Sequence, residues 1–98
     1  MKIVIVRLAN GEEVISKVDD SELSNTPTGY LKLVSPRVVH VVDMGNGRAT
    51  AQLLPVMLTN GVKDECLLNL ATVPFISYDA DPEHEKRYLA AISNIQLV

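Results

Sequence analysis

The chain has no tryptophan, one phenylalanine and three tyrosines, so a core of stacked rings is excluded and Val, Ile and Leu must supply it. Aliphatics of the β-branched kind fit a pleated, half-buried surface, and the shortage of aromatics therefore favours strands. A single cysteine, Cys66, cannot form an internal disulfide, which fits a reducing compartment. The opening apolar run, residues 3–6, is far too short for a signal-peptide core or a membrane span. A soluble, cytoplasmic protein without membrane partners is expected. Nine Lys and Arg stand against twelve Asp and Glu, a formal net charge of -3. That balance argues against coating duplex DNA, which needs a strongly basic face, but leaves room for a small, locally basic site.

Catalytic and ligand-binding signatures are missing as well. The glycines form neither GxGxxG nor a P-loop. His40 and His84 have no partner at metal or nucleophile spacing, and Cys66 has no CxxC companion. Asp19-Asp20-Ser21-Glu22 lacks the spacing and glycine of an EF-hand loop. No Ser–His–acid arrangement can be assembled. Neither an enzyme nor a cofactor or metal site is expected. His40 reads as a strand residue, His84 as solvated, Cys66 as a small packed hydrophobe.

What is present is ordinary globular material. Hydrophobic residues make up 47% and charged residues 21% of the 98 positions, enough for one domain, residues 1–98, with one modest core. In "VRLANGEEVISKV" the Asn10-Gly11 pair suits a two-residue type I′ turn between two apolar runs. That turn pairs Leu8 with Glu13, Val6 with Ile15 and Val4 with Lys17, leaving aliphatics on both faces. A hairpin on a half-solvated sheet would alternate more cleanly, so this one is expected to be covered on both sides. Residues 19–29 are polar, carry Pro27 and Gly29, and read as a loop. "YLKLVSPRVVHVVD" reads as a long strand in which Pro36 imposes a bulge, a bend or an edge. "MGNGR" supplies a reversal, and "ATAQLLPVML" a returning strand broken at Pro55. A loop with Asn60-Gly61 follows, then "CLLNLATVPFISY" as a strand, a tight step at residues 69–72 and a last strand. Asp81 as N-cap, Pro82 at the first helical position and acids in the first turn predict a helix over residues 82–93, with Tyr88, Leu89, Ile92 and Ile95 on one face. The apolar surplus of the β-rich body points to subunit contacts, and a homo-oligomer is expected.

The basic residues are dispersed and read as solvated. Around a symmetry axis, however, one Lys or Arg per protomer becomes a positive rim. Tyr30 and Lys32 combine a stacking surface with a cation, a pairing that suits single-stranded nucleic acid, and equally describe a strand-edge tyrosine beside a surface lysine.

The order of parts resembles the Sm-like (LSm) family. "IVRLANGEEVISKVDD" resembles its first motif, "GYLKLV" the start of the third strand of that motif, and "LLNLATVPFISY" its second motif, together covering residues 3–77 in outline. The "NGE" hairpin and the helix start "DADPEHEKRY" are most similar to divergent members of marine phage and metagenomic type, for which the host cytoplasm is implied. The chain departs from the family pattern in four respects, the first being that the asparagine of the loop before the third strand has no clear equivalent, Tyr30 standing nearest. Asn69-Leu70 replaces the Arg-Gly of the second motif, the helix lies at the C-terminal end, and residues 36–58 are longer than a plain Sm core. The resemblance implies a small, strongly bent, five-stranded antiparallel barrel (SH3-like or OB-like in outline), here with a C-terminal helix. It implies a ring of five to seven subunits joined through strands four and five. It also implies non-catalytic binding of single-stranded RNA in nucleic-acid processing, at a site of Asp19, Tyr30, Asn69 and Thr72, to which Lys32 is added on chemical grounds. The same barrel used only as an oligomeric assembly or scaffold module is the alternative, and an unrelated small barrel with its own activity a third.

Overall fold

A computed structural model describes residues 1–21, 29–56, 64–77 and 80–96, with side chains of the last segment to residue 93. β1 (Lys2–Arg7) and β2 (Glu13–Val18) form the first hairpin. Arg7 pairs with Glu13, Val6 with Val14, Ile5 with Ile15 and Val4 with Ser16, one residue away from the register expected of a two-residue turn. The Gly11 amide donates to the Leu8 carbonyl at 2.9 Å and the Leu8 amide to the Glu12 carbonyl at 2.8 Å, so residues 9–11 form a three-residue loop. Gly11 alone takes the left-handed conformation, φ +88°, and Asn10 does not. The slip exchanges the faces of one strand relative to the other. One face now gathers Val4, Val6, Val14 and Val18, while Arg7, Glu13 and Lys17 join Ile3, Ile5 and Ile15 on the other. The observed register wins because Ser16 is then the one polar residue of the hairpin buried on the inner face, Lys2 lying at its exposed end, and because it sets Arg7 against Glu13 at 2.7 Å.

β3 (Tyr30–Gly45) is the long central strand, and β4 (Arg48–Pro55), β5 (Glu65–Asn69) and β6 (Phe75–Ser77) follow, with a 3₁₀ turn at Leu70–Thr72. All pairings are antiparallel, in the order β4-β3-β2-β1-β6, with β5 also on β3. Six strands are present, as the residue pattern lays them out, where the resemblance implies five. The returning strand stops at Pro55 and resumes at Glu65, its two halves paired with the two halves of β3. Nor is the sheet closed into a barrel, because β5 and β6 are joined by the 3₁₀ turn and not by a ladder. Of the loop expected at residues 19–29, residues 22–28 lie outside the described residues, as do the Asn60-Gly61 turn and the face position of Ile95.

β3 bends where its sequence demands it. Pro36 has no N–H for the ladder, Ser35 adopts φ +53°, and the β2–β3 register shifts between Ile15 opposite Arg37 and Lys17 opposite Val34. The β3–β4 connection is a two-residue turn, with Asn46 at φ +54° and Gly47 at φ +73°.

Both faces are covered, as the aliphatic distribution requires. Inside the bend, Val4, Val6, Val14, Val18, Leu31 and Leu33 form one cluster. On the outer face, Ile15 packs with Tyr88 and Ile92 of α1 (Pro82–Gln96), supported by Ile3, Ile5, Val39 and Leu53. Complete burial of one such aliphatic side chain stabilises the fold by about 1.5–3 kcal/mol. Asp81 caps the helix, its Oδ1 accepting from the Glu83 amide at 3.1 Å. The helix runs three residues beyond residue 93, since neither Gly nor Pro interrupts residues 92–96. Leu89, expected on the packed face, is exposed.

Candidate nucleic-acid interface

The register of β5 on β3 sets Tyr30 opposite Asn69 and Lys32 opposite Leu67, while the alternate residues Leu31 and Leu33 are buried in the core. Tyr30, Lys32, Leu67 and Asn69 consequently share the outward face. The Tyr30 ring is 63% exposed, and Leu67 lies on the diagonal beside it, also exposed. The Lys32 ammonium sits 3.0 Å from Glu65 Oε2.

The 3₁₀ turn fixes the other two candidates. Asn69 Oδ1 accepts from the Ala71 amide at 3.1 Å, and Thr72 Oγ1 donates to the Asn69 carbonyl at 2.8 Å. The Leu70 amide donates to the Gly29 carbonyl at 2.9 Å, which ties the turn to the start of β3. Asp19 follows the end of β2 on an exposed stretch, and its Oδ1 accepts from the Ser21 amide and hydroxyl, each at 2.9 Å. Those bonds, backbone first, hold its carboxyl below the ordinary value, and the amino terminus and Lys32 act in the same direction. Tyr30, Lys32, Asn69 and Thr72 are thus brought to one end of the β3–β5 pair, with Asp19 at its margin near enough to feel Lys32.

The face is amphipathic: an exposed ring and a leucine beside one cation that faces two acids, Glu65 and Asp19. It can stack a planar group and offer a charged contact, but in one copy it presents no concentrated positive charge. His40 is exposed opposite Gln52, and His84 Nδ1 lies 3.6 Å from Asp81 Oδ2. Burial, with the charge of Asp64 adding to it, pushes the Cys66 thiol up, away from the reactive thiolate. Among the described residues no three His, Cys, Asp or Glu side chains are grouped to hold a metal. No helix among them is long and apolar enough to cross a membrane.

Arg37, expected to be solvated, is instead buried. The side chain is 1% exposed and pairs with Asp64 through both carboxylate oxygens, at 2.9 and 2.7 Å. Its other bond goes to the Pro36 carbonyl, and the Asp64 carbonyl accepts from the Ser35 amide. The pair therefore clamps the start of β5 onto the bend of β3. An arginine within a β-branched strand run, beside a proline, is the signal that marked it.

Neither a protein-family model nor a curated protein matches the chain.

Proposed function

We propose that the chain is an Sm-like module that assembles edge to edge into a ring of five to seven copies and binds single-stranded RNA without catalysis. The observation that carries the reading is the exposed Tyr30 ring on one face with Lys32, beside the Asn69 and Thr72 turn. A base stacks on the ring and a phosphate meets the ammonium. In a ring, Lys32 recurs in every protomer, so a chain of net charge -3 still offers a repeated cation. The path of the sheet supports assembly. β4 and β6 are its two ends, and they carry Leu54, 44% exposed, and Phe75, 68% exposed. Unpaired edges with apolar side chains invite a second sheet, and pairing of β4 in one copy with β6 in the next closes a ring.

The Lys32 to Glu65 ion pair, with Asp19 close by, favours a second reading in which the same assembly is a scaffold without nucleic acid. Fluorescence anisotropy with labelled oligo-U and oligo-A at low salt separates the two. RNA binding requires a saturable signal that falls with added salt and falls again in Tyr30→Ala. A protein that sizes as a ring by light scattering yet binds neither oligonucleotide at tens of micromolar is a scaffold.

A further inference from the structure

We propose that the cleft between α1 and the outer face of the sheet binds a small amphipathic carboxylate, with its apolar body against Ile15 and Leu53 and its head on Arg87. The cleft has a volume of about 440 Å³. That lies within the range of small-molecule sites, roughly 300–1,000 Å³. Its floor is aliphatic, made of Ile5, Ile15, Val39 and Leu53. The helix seals one side with Tyr88 and Ile92, but the neighbouring stripe of His84, Arg87 and Ala91 bounds the open space. Ala91 is too small to reach the sheet, and so the gap persists.

The charge at the rim selects the head group. Glu13 is already held by Arg7 at 2.7 Å, and His84 is 3.6 Å from Asp81. Arg87 also lines the cleft, and among the described residues no carboxylate lies within ion-pair distance of it. A guanidinium at the mouth of an apolar cleft fits a carboxylate through two parallel hydrogen bonds. A cationic amphiphile meets only an acid that is already neutralised. No residue of the cleft belongs to the Tyr30 face, so this site stands independently of RNA binding, while Thr50, Ala51 and Leu53 lie on β4, the edge strand that the ring would use.

Sodium octanoate and 1-octanol, titrated into methyl-labelled full-length protein, test the assignment by NMR. Octanoate is expected to shift the Ile5, Ile15 and Leu53 methyls saturably, about tenfold more tightly than octanol, the difference one charge-assisted contact supplies. R87Q is expected to weaken octanoate by the same factor while leaving octanol unchanged. Ala91→Phe, which fills the cleft, is expected to abolish both sets of shifts. Equal affinities for the two probes, shifts that do not saturate or map elsewhere, or an unaltered octanoate affinity in R87Q would overturn the proposal.

Discussion

Tyr88 carries one hydroxyl that stands in for ladder bonds lost at Pro36. The Lys17 amide donates to it at 3.1 Å, and it donates to the Ser35 carbonyl at 2.7 Å, with the Val34 carbonyl at 3.2 Å. Tyr88→Phe leaves a buried amide and a carbonyl without this partner, and urea denaturation should register a loss of about 1–3 kcal/mol. The same group sets an alkaline limit. Burial, opposed in part by the Lys17 bond, pushes its pKa up from 10.0 to about 12. Below pH 10 the phenol is protonated both folded and unfolded, so it contributes fully. Between about pH 10 and 12 the unfolded chain ionises first, and stability falls by of order 2 kcal/mol as the pH rises through that window. Wild-type melts across this window should show that slope, and Tyr88→Phe should lack its contribution. For the ion pair at the bend, Asp64→Ala strands the buried Arg37 guanidinium, whose Nε already has no hydrogen-bond partner among the described residues. A cost of about 3–5 kcal/mol by the same measurement is expected. Neither device was open to sequence reasoning as a pair. Arg37 and Asp64 meet across a long separation in the chain, and the order of the residues says nothing of which acid will arrive.

At the scale of elements, two Asn-Gly pairs of identical composition make different turns. Asn46-Gly47 places both residues at positive φ, whereas at Asn10-Gly11 only the glycine does. An added Cβ at Gly11 would meet nothing within 4 Å, so the cost of Gly11→Ala is purely conformational. About 1–2 kcal/mol, read from the shift in urea midpoint at constant slope, is the expected loss. The existence of both hairpins, the break at Pro36 and the capped helix was legible, since Gly, Pro and Asp act locally. The register of the first hairpin was legible too, had charge been matched with charge. Arg7 and Glu13 belong on the solvated side, which places Val4, Val6 and Val14 together inside. The break at Pro55 and a separate strand from about Cys66 were legible as well, but not that β4 and β5 both pair with β3. Of the candidate site, Tyr30 and Lys32 follow from simple alternation along β3. Their meeting with Asn69 and Thr72 depends on β5 pairing, which no local pattern encodes.

For the whole molecule, the decisive surfaces are the two ends of the sheet path. Charges placed there should block edge pairing while leaving the interior untouched, because Leu54 and Phe75 are already exposed. The double variant Leu54→Lys with Phe75→Lys is expected to remain folded by circular dichroism and to elute at the mass of one chain. The unaltered protein is expected at a multiple of that mass in the same light-scattering measurement.

β1 has a further consequence for how a chain finishes folding. Its partner on one side arrives through a three-residue loop, and on the other through the longest-range strand pairing among the described residues, β1 with β6. Closing so wide a loop is entropically the costliest pairing, and β6 offers only three residues to hold it. A chain halted before that step bears a bare β1, which accepts β6 from another copy as readily as its own. Strand exchange at this seam, rather than simple surface contact, would then entangle newly made copies, and its reversal would be as slow as unfolding.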